Sequence, residues 1–182
     1  MDVVATISGE ESNSYVTVAE ADAYFGARLH AGAWETATTG DKEKALVTAC
    51  RAIEACRLRV DRRGASEISP AVLTQALSFP RVRDTDSSGA YIVPSPVQDA
   101  QCEEALALLA FGAEQDRRAT LQAAGVTSFS VDGLSETYGA AGSRSPLVSS
   151  RARALLAPYV DRGGVIATSD SPAGEFTAGS AR

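Results

Sequence analysis

The chain has 182 residues, 45% hydrophobic and 22% charged, with a formal net charge of −6 and a pI near 4.8. That length and balance fit one globular domain with a real core and lie outside the disordered and membrane classes. The acidic sign is opposite to the basic footprint of a protein that grips phosphates, and suits protein partners or a lumen that DNA crosses without sticking.

The opening stretch, MDVVATISGEESNSY, lacks a basic flank, a sustained apolar run and a small-residue cleavage site, so no secretory signal is expected. Residues 1–14 read as an N-terminal arm whose order depends on a neighbour. Thr17 followed by Glu20 is a capping box, with Val16 placed to staple onto Ala21. Ala21, Tyr24, Phe25 and Leu29 continue at helical spacing. The segment AGAWETATTG reads as a short turn anchored by Trp34 in the core. A second helix is expected from Asp41, whose side chain can cap it, to about Leu58, with Leu46, Ala49, Cys50, Ile53 and Arg57 on one stripe.

Between Val60 and Pro94 the pattern loosens around Pro70, Pro80 and an Asp86–Gly89 turn cluster, which predicts a long loop with a short helical piece near 70–77. Ser95 and Pro96 supply an N-cap and an N1 proline for a long third helix ending near Ala124, with Gly125 at C′. Its Ala105–Ala113 run is apolar nearly all round, so this helix is expected at the centre, and the run is about half the length that a bilayer requires. Val126–Val131 and Leu134–Tyr138 flank Asp132-Gly133, a dipeptide suited to a two-residue hairpin turn. A hairpin alone is marginal in water, which points to packing on the helices or on a neighbouring copy. A final helix is expected from about Pro146 to Leu156, docking through Leu147, Leu155 and Leu156 and ended by Pro158. Residues 161–182 read as a flexible C-terminal tail that a partner orders.

Chemistry leaves few traces. His30 is the sole histidine, and GxSxG, GxxxxGK[ST], GxGxxG, HExxH and EF-hand patterns are missing, so no catalytic residue, cofactor site or metal site is expected. Cys50, Cys56 and Cys102 form no CxxC pair and read as reduced, buried thiols. The carboxylate pairs Glu103/Glu104 and Asp84/Asp86 would serve acid/base work only if they converged in a cleft, which spacing alone does not establish, and Asp99 and Glu103, one helical turn apart, read as an exposed acidic stripe. Arg51, Arg57, Arg59, Arg62 and Arg63, set against only Glu54 and Asp61, form a local basic patch on an acidic chain. It suits DNA or an acidic partner, although no aromatic residues interleave the arginines as a single-strand stacking platform requires. These elements sum to a mainly α fold: a small helical bundle around a long central helix, with a C-terminal β-hairpin at about 126–138 and polar arms.

Asn13–Phe25 (NSYVTVAEADAYF), Gln75–Arg81 (QALSFPR) and Ile92–Leu109 (IVPSPVQDAQCEEALALL), with the hairpin and the short helix that follows, resemble the head–tail connector adaptor (head-completion) family of tailed phages. Members of that family are also described as DnaT-like single-stranded-DNA-binding proteins. The resemblance covers roughly residues 10–160. It implies a non-enzymatic virion protein of the neck, present in the host cytoplasm during assembly, that forms a homo-oligomeric ring of about twelve copies with a closing head-to-tail interface. Portal protein and a stopper or tail-completion protein would be its partners, DNA would pass through the lumen without sequence-specific binding, and no membrane would be involved. Candidate contact residues are Arg57, Arg59, Arg62 and Arg63, Asp132 and Gly133 of the hairpin, and Val165, Ile166 and Phe176 of the tail. The alternative is a replication-linked single-stranded-DNA-binding protein.

Overall fold

The computed structural model describes residues 2–58, 75–81, 83–124, 128–131, 134–137 and 146–160. It is mainly helical: α1 (Val18–Gly26), α2 (Gly32–Glu35), α3 (Thr39–Glu54), α4 (Ser95–Ala123) and α5 (Ser150–Leu156). Between α4 and α5, β1 (Ser128–Val131) and β2 (Leu134–Thr137) pair antiparallel with Val131 opposite Leu134. Among the described residues, neither strand packs extensively on a helix.

The capping box begins α1 as its sequence requires. The Thr17 side chain accepts the Glu20 N–H while the Glu20 carboxylate accepts the Thr17 N–H at 2.7 Å, which satisfies two amides that a helix start otherwise leaves bare. Val16 and Ala21 share one core cluster. The helix stops at Gly26, so Leu29 is not part of its stripe and stands 81% exposed, contrary to expectation. The anchoring role of Trp34 holds, at 1% exposure, within a short helix instead of a turn. The cap of α3 is Thr38, not Asp41: the Thr38 hydroxyl accepts the Asp41 N–H and donates to the Asp41 carboxylate at 2.8 Å. A threonine three residues upstream takes the cap, and Asp41 adds negative charge in the first turn, where the helix dipole favours it. Leu46, Ala49, Cys50 and Ile53 are buried as the stripe predicts, but α3 ends at Glu54 and Arg57 lies beyond it, exposed.

Two apolar clusters fill the interior. Val16, Phe25, Trp34, Leu46, Cys102 and Leu106 pack where α1 and α2 cross α3 and α4. Ile53, Phe79, Val97, Leu147, Ala152 and Leu156 pack on the side toward α5. Thus α4 is enclosed through its first half. From Ala110 it emerges, with Phe111 62% exposed, so full coverage of the apolar run is not what the structure has.

The N-terminal segment is hydrogen-bonded to its own chain. Asn13 donates its N–H to the Val4 carbonyl at 2.9 Å, and its side-chain oxygen accepts the Val4 N–H at 2.8 Å. Gly9 sits where a Cβ would come within 2.6 Å of Ser12 Oγ and 2.9 Å of Thr6 Cβ, a space only glycine tolerates. The Gly9 carbonyl accepts the Ala76 N–H at 3.0 Å, joining this segment to residues 75–81.

Candidate functional site

Three polar positions within one turn of α4, Gln101, Glu103 and Glu104, are buried, and each grips a different part of the chain. Gln101 accepts the Tyr15 N–H at 2.8 Å and donates to Ser14 Oγ at 2.7 Å and the Leu46 carbonyl at 2.9 Å. Glu104 accepts the N–H groups of Val148 and Ser149, both at 2.8 Å, at the entrance to α5. Glu103 receives a two-pronged contact from Arg28, at 2.5 and 2.8 Å, and the Tyr24 hydroxyl at 2.8 Å, with Arg151 at 3.7 Å. Burial pushes the Glu103 carboxyl up, but the Arg28 and Tyr24 hydrogen bonds and the arginine charges outweigh it and leave the group below its ordinary range. The expected exposed stripe of Asp99 and Glu103 is therefore corrected: Asp99 is half-buried and Glu103 is 4% exposed. Periodicity placed both on one face, and Arg28, 75 positions away, turned that face inward. This seam is cohesive: Gln101, Glu103 and Glu104 each find their partners inside the chain.

A second junction lies where α3, residues 75–81 and the end of α5 meet. The peptide between Phe79 and Pro80 is cis. Phe79 is buried and stacks edge-on with Tyr15, ring centroids 5.9 Å apart, and with Tyr159, 5.4 Å apart. The Tyr15 hydroxyl hydrogen-bonds the Glu54 carboxylate, which also accepts the Ser78 N–H at 3.1 Å and the Ser78 hydroxyl at 2.7 Å. Burial first, and then the Glu54 charge, hold the Tyr15 phenol far above its ordinary value. The Glu54 carboxylate is thus occupied on the inside.

Outside it, the Arg81 guanidinium lies 4.3 Å from the centre of the Phe79 ring and 6.0 Å from that of Tyr159. Such contacts hold a cation at a ring face without neutralising it. Tyr159 and Arg81 are half-buried, and Arg51, Arg57 and Arg83 are exposed. Leu58 pairs with Val160 in an isolated antiparallel bridge, which sets Arg57 beside the end of α5. Among the described residues, no carboxylate pairs with the guanidinium of Arg81.

Of the candidate contact residues, Arg57 falls in this region. Arg59, Arg62, Arg63, Asp132, Gly133, Val165, Ile166 and Phe176 lie outside the described residues. Phe79, Arg81 and Tyr159 were missed as site residues, because 80 positions separate Phe79 from Tyr159 and no local spacing joins them. The QALSFPR stretch was the one available signal. Aromatic groups do accompany arginine here, supplied through space and not by interleaving.

No group of three or more His, Cys, Asp or Glu side chains suited to a metal occurs among the described residues, and none of their helices is long and apolar enough to cross a membrane. No curated protein and no solved structure matches the chain. A family model described as "Putative DnaT-like ssDNA binding protein" matches residues 2–170, and the chain belongs to that family.

Proposed function

We propose that this chain is a non-enzymatic binding protein that contacts single-stranded DNA through the arginine-bearing end where α3, residues 75–81 and α5 meet. The observation that carries the reading is the Arg81 guanidinium held over Phe79 and beside Tyr159, with no described carboxylate paired to it and with Arg57 adjoining the Leu58–Val160 bridge that follows Tyr159. Guanidinium groups fixed at a ring face, with donors left over, suit phosphate oxygens and exposed bases together. The family description, which names single-stranded DNA, supports the same reading. The net charge of −6 opposes it, so the contact must be local, and its affinity must fall steeply with salt. Charge reversal of Arg57 and Arg81 to Glu should abolish the mobility shift of a labelled oligonucleotide at physiological salt. An unchanged shift would remove this end of the molecule from the reading.

A second reading, the phage head–tail adaptor, is supported by a different part of the molecule. From Ala110 onward α4 leaves the bundle with Phe111 exposed, and the hairpin that follows packs extensively on no helix. Such elements suit a neighbouring subunit in a ring, with portal and tail-completion proteins above and below. In that reading DNA passes through the centre, and residues 161–182 seat on the portal. Mixing the chain with its portal, separating by size and imaging any complex decides between the two. A ring added to the portal with no oligonucleotide shift selects the adaptor; DNA binding with no portal association selects the first reading.

A further inference from the structure

We infer that Tyr159 is a stacking surface for one unpaired base, and that it gives the site a preference for single strands over duplex. The inference rests on the single-stranded-DNA reading above and adds to it the residue and the contact. Tyr159 follows Pro158 at the end of α5, its N–H bonded to the Leu156 carbonyl at 2.8 Å and its neighbour Val160 pinned to Leu58. The backbone that carries the ring is therefore fixed at both ends. Phe79 packs edge-on against the ring, the Arg81 guanidinium lies 6.0 Å from its centre, and Tyr159 is half-buried.

Tyr15 and Phe79, the other aromatic members of the cluster, are 4% and 2% exposed, so among the described residues of the cluster Tyr159 is the aromatic group that offers a surface. A base can reach such a surface only when unstacked from its neighbours, a condition single strands meet and duplexes do not. Arg57, Arg81 and Arg83 supply charge to the phosphates on either side, which makes the contact independent of sequence. Arg81 lies beside the stacked pair, 4.3 Å from the centre of the Phe79 ring and 6.0 Å from that of Tyr159.

The test is fluorescence anisotropy at low and physiological salt with a labelled oligothymidine of about 20 nucleotides and a duplex of equal length. The whole chain is compared with Tyr159→Leu and Tyr159→Phe. The unchanged chain should favour the single strand, Tyr159→Leu should weaken that binding about tenfold, and Tyr159→Phe should retain it. Duplex binding should respond to neither substitution. If the unchanged chain binds the oligothymidine and Tyr159→Leu binds it equally well, the stacking role is overturned while the binding reading stands. If the unchanged chain does not bind it, both fall. Should Tyr159→Leu lose its thermal transition, Tyr159→Trp replaces it: quenching of the new indole emission by oligothymidine supports stacking, and unaltered emission under saturating oligonucleotide overturns it.

Discussion

Gln101 on α4 takes the backbone N–H of Tyr15 on its side-chain oxygen, across 86 positions of sequence and in a site closed to water. The same amide group reaches Ser14 and, on α3, Leu46. One neutral side chain therefore joins the N-terminal segment, α3 and α4. Removing a partner from a buried hydrogen bond leaves the other group desolvated and unmatched, which costs more than the bond itself contributes. Gln101→Leu keeps the bulk and deletes the polar atoms. It should lower unfolding free energy by about 2–4 kcal/mol, read from urea titration, and raise hydrogen exchange at Tyr15 first.

Glu103 makes stability depend on acid. Its carboxyl is held below the ordinary value of 4.5, so the folded state binds that proton less readily than the unfolded chain. The contribution is complete above the unfolded value and is lost as pH falls through the folded one. Thermal midpoints measured from pH 6 downward should hold and then decline below about 4.5. Glu103→Gln should flatten that decline while lowering stability at neutral pH by about 2–3 kcal/mol, because it leaves Arg28 without its counter-charge.

Glu104 controls a different boundary. Its two oxygens hold the Val148 and Ser149 amides, and Ser149 in turn caps α5 by accepting the Ala152 N–H at 3.2 Å. Glu104→Ala should leave one buried and one half-buried donor unmatched and cost about 2–4 kcal/mol. Exchange protection should fall in α5 before α1, and uniform loss along the chain would contradict this order.

The thiols should divide by depth. Burial, reinforced by nearby carboxylates, pushes Cys50 and Cys102 up to about 12. Cys56 is raised too, by burial first, but is half-buried. A thiolate-directed reagent at pH 8 should label Cys56 slowly in the native protein and reach Cys50 and Cys102 only with denaturant. Rapid native labelling of all three would contradict the packing.

Local signals were legible and distant ones were not. The Thr17–Glu20 box, the α3 stripe and the Trp34 anchor each depend on residues within a few positions, where sequence spacing dictates geometry. The cap of α3 was misplaced because Thr38 and Asp41 are both competent caps and only the backbone chooses between them. Glu103 read as solvated because acidic residues usually are, and its partner Arg28 gave no local cue. The polar N-terminal segment looked free for the same reason: its order comes from side chains on α4 and from residues 75–81. At the candidate site the arginines were visible, whereas the aromatic groups arrive from three separate segments.

Those three segments carry a consequence for the integrity of the chain. Tyr15, Phe79 and Tyr159 meet in one cluster, and the Ser78 hydroxyl bonds the Glu54 carboxylate, so α3 and residues 75–81 are joined directly. A protease cut within 59–74 would therefore yield two pieces, one ending after α3 and one beginning before Gln75, that remain a single particle in gel filtration and separate only in denaturant.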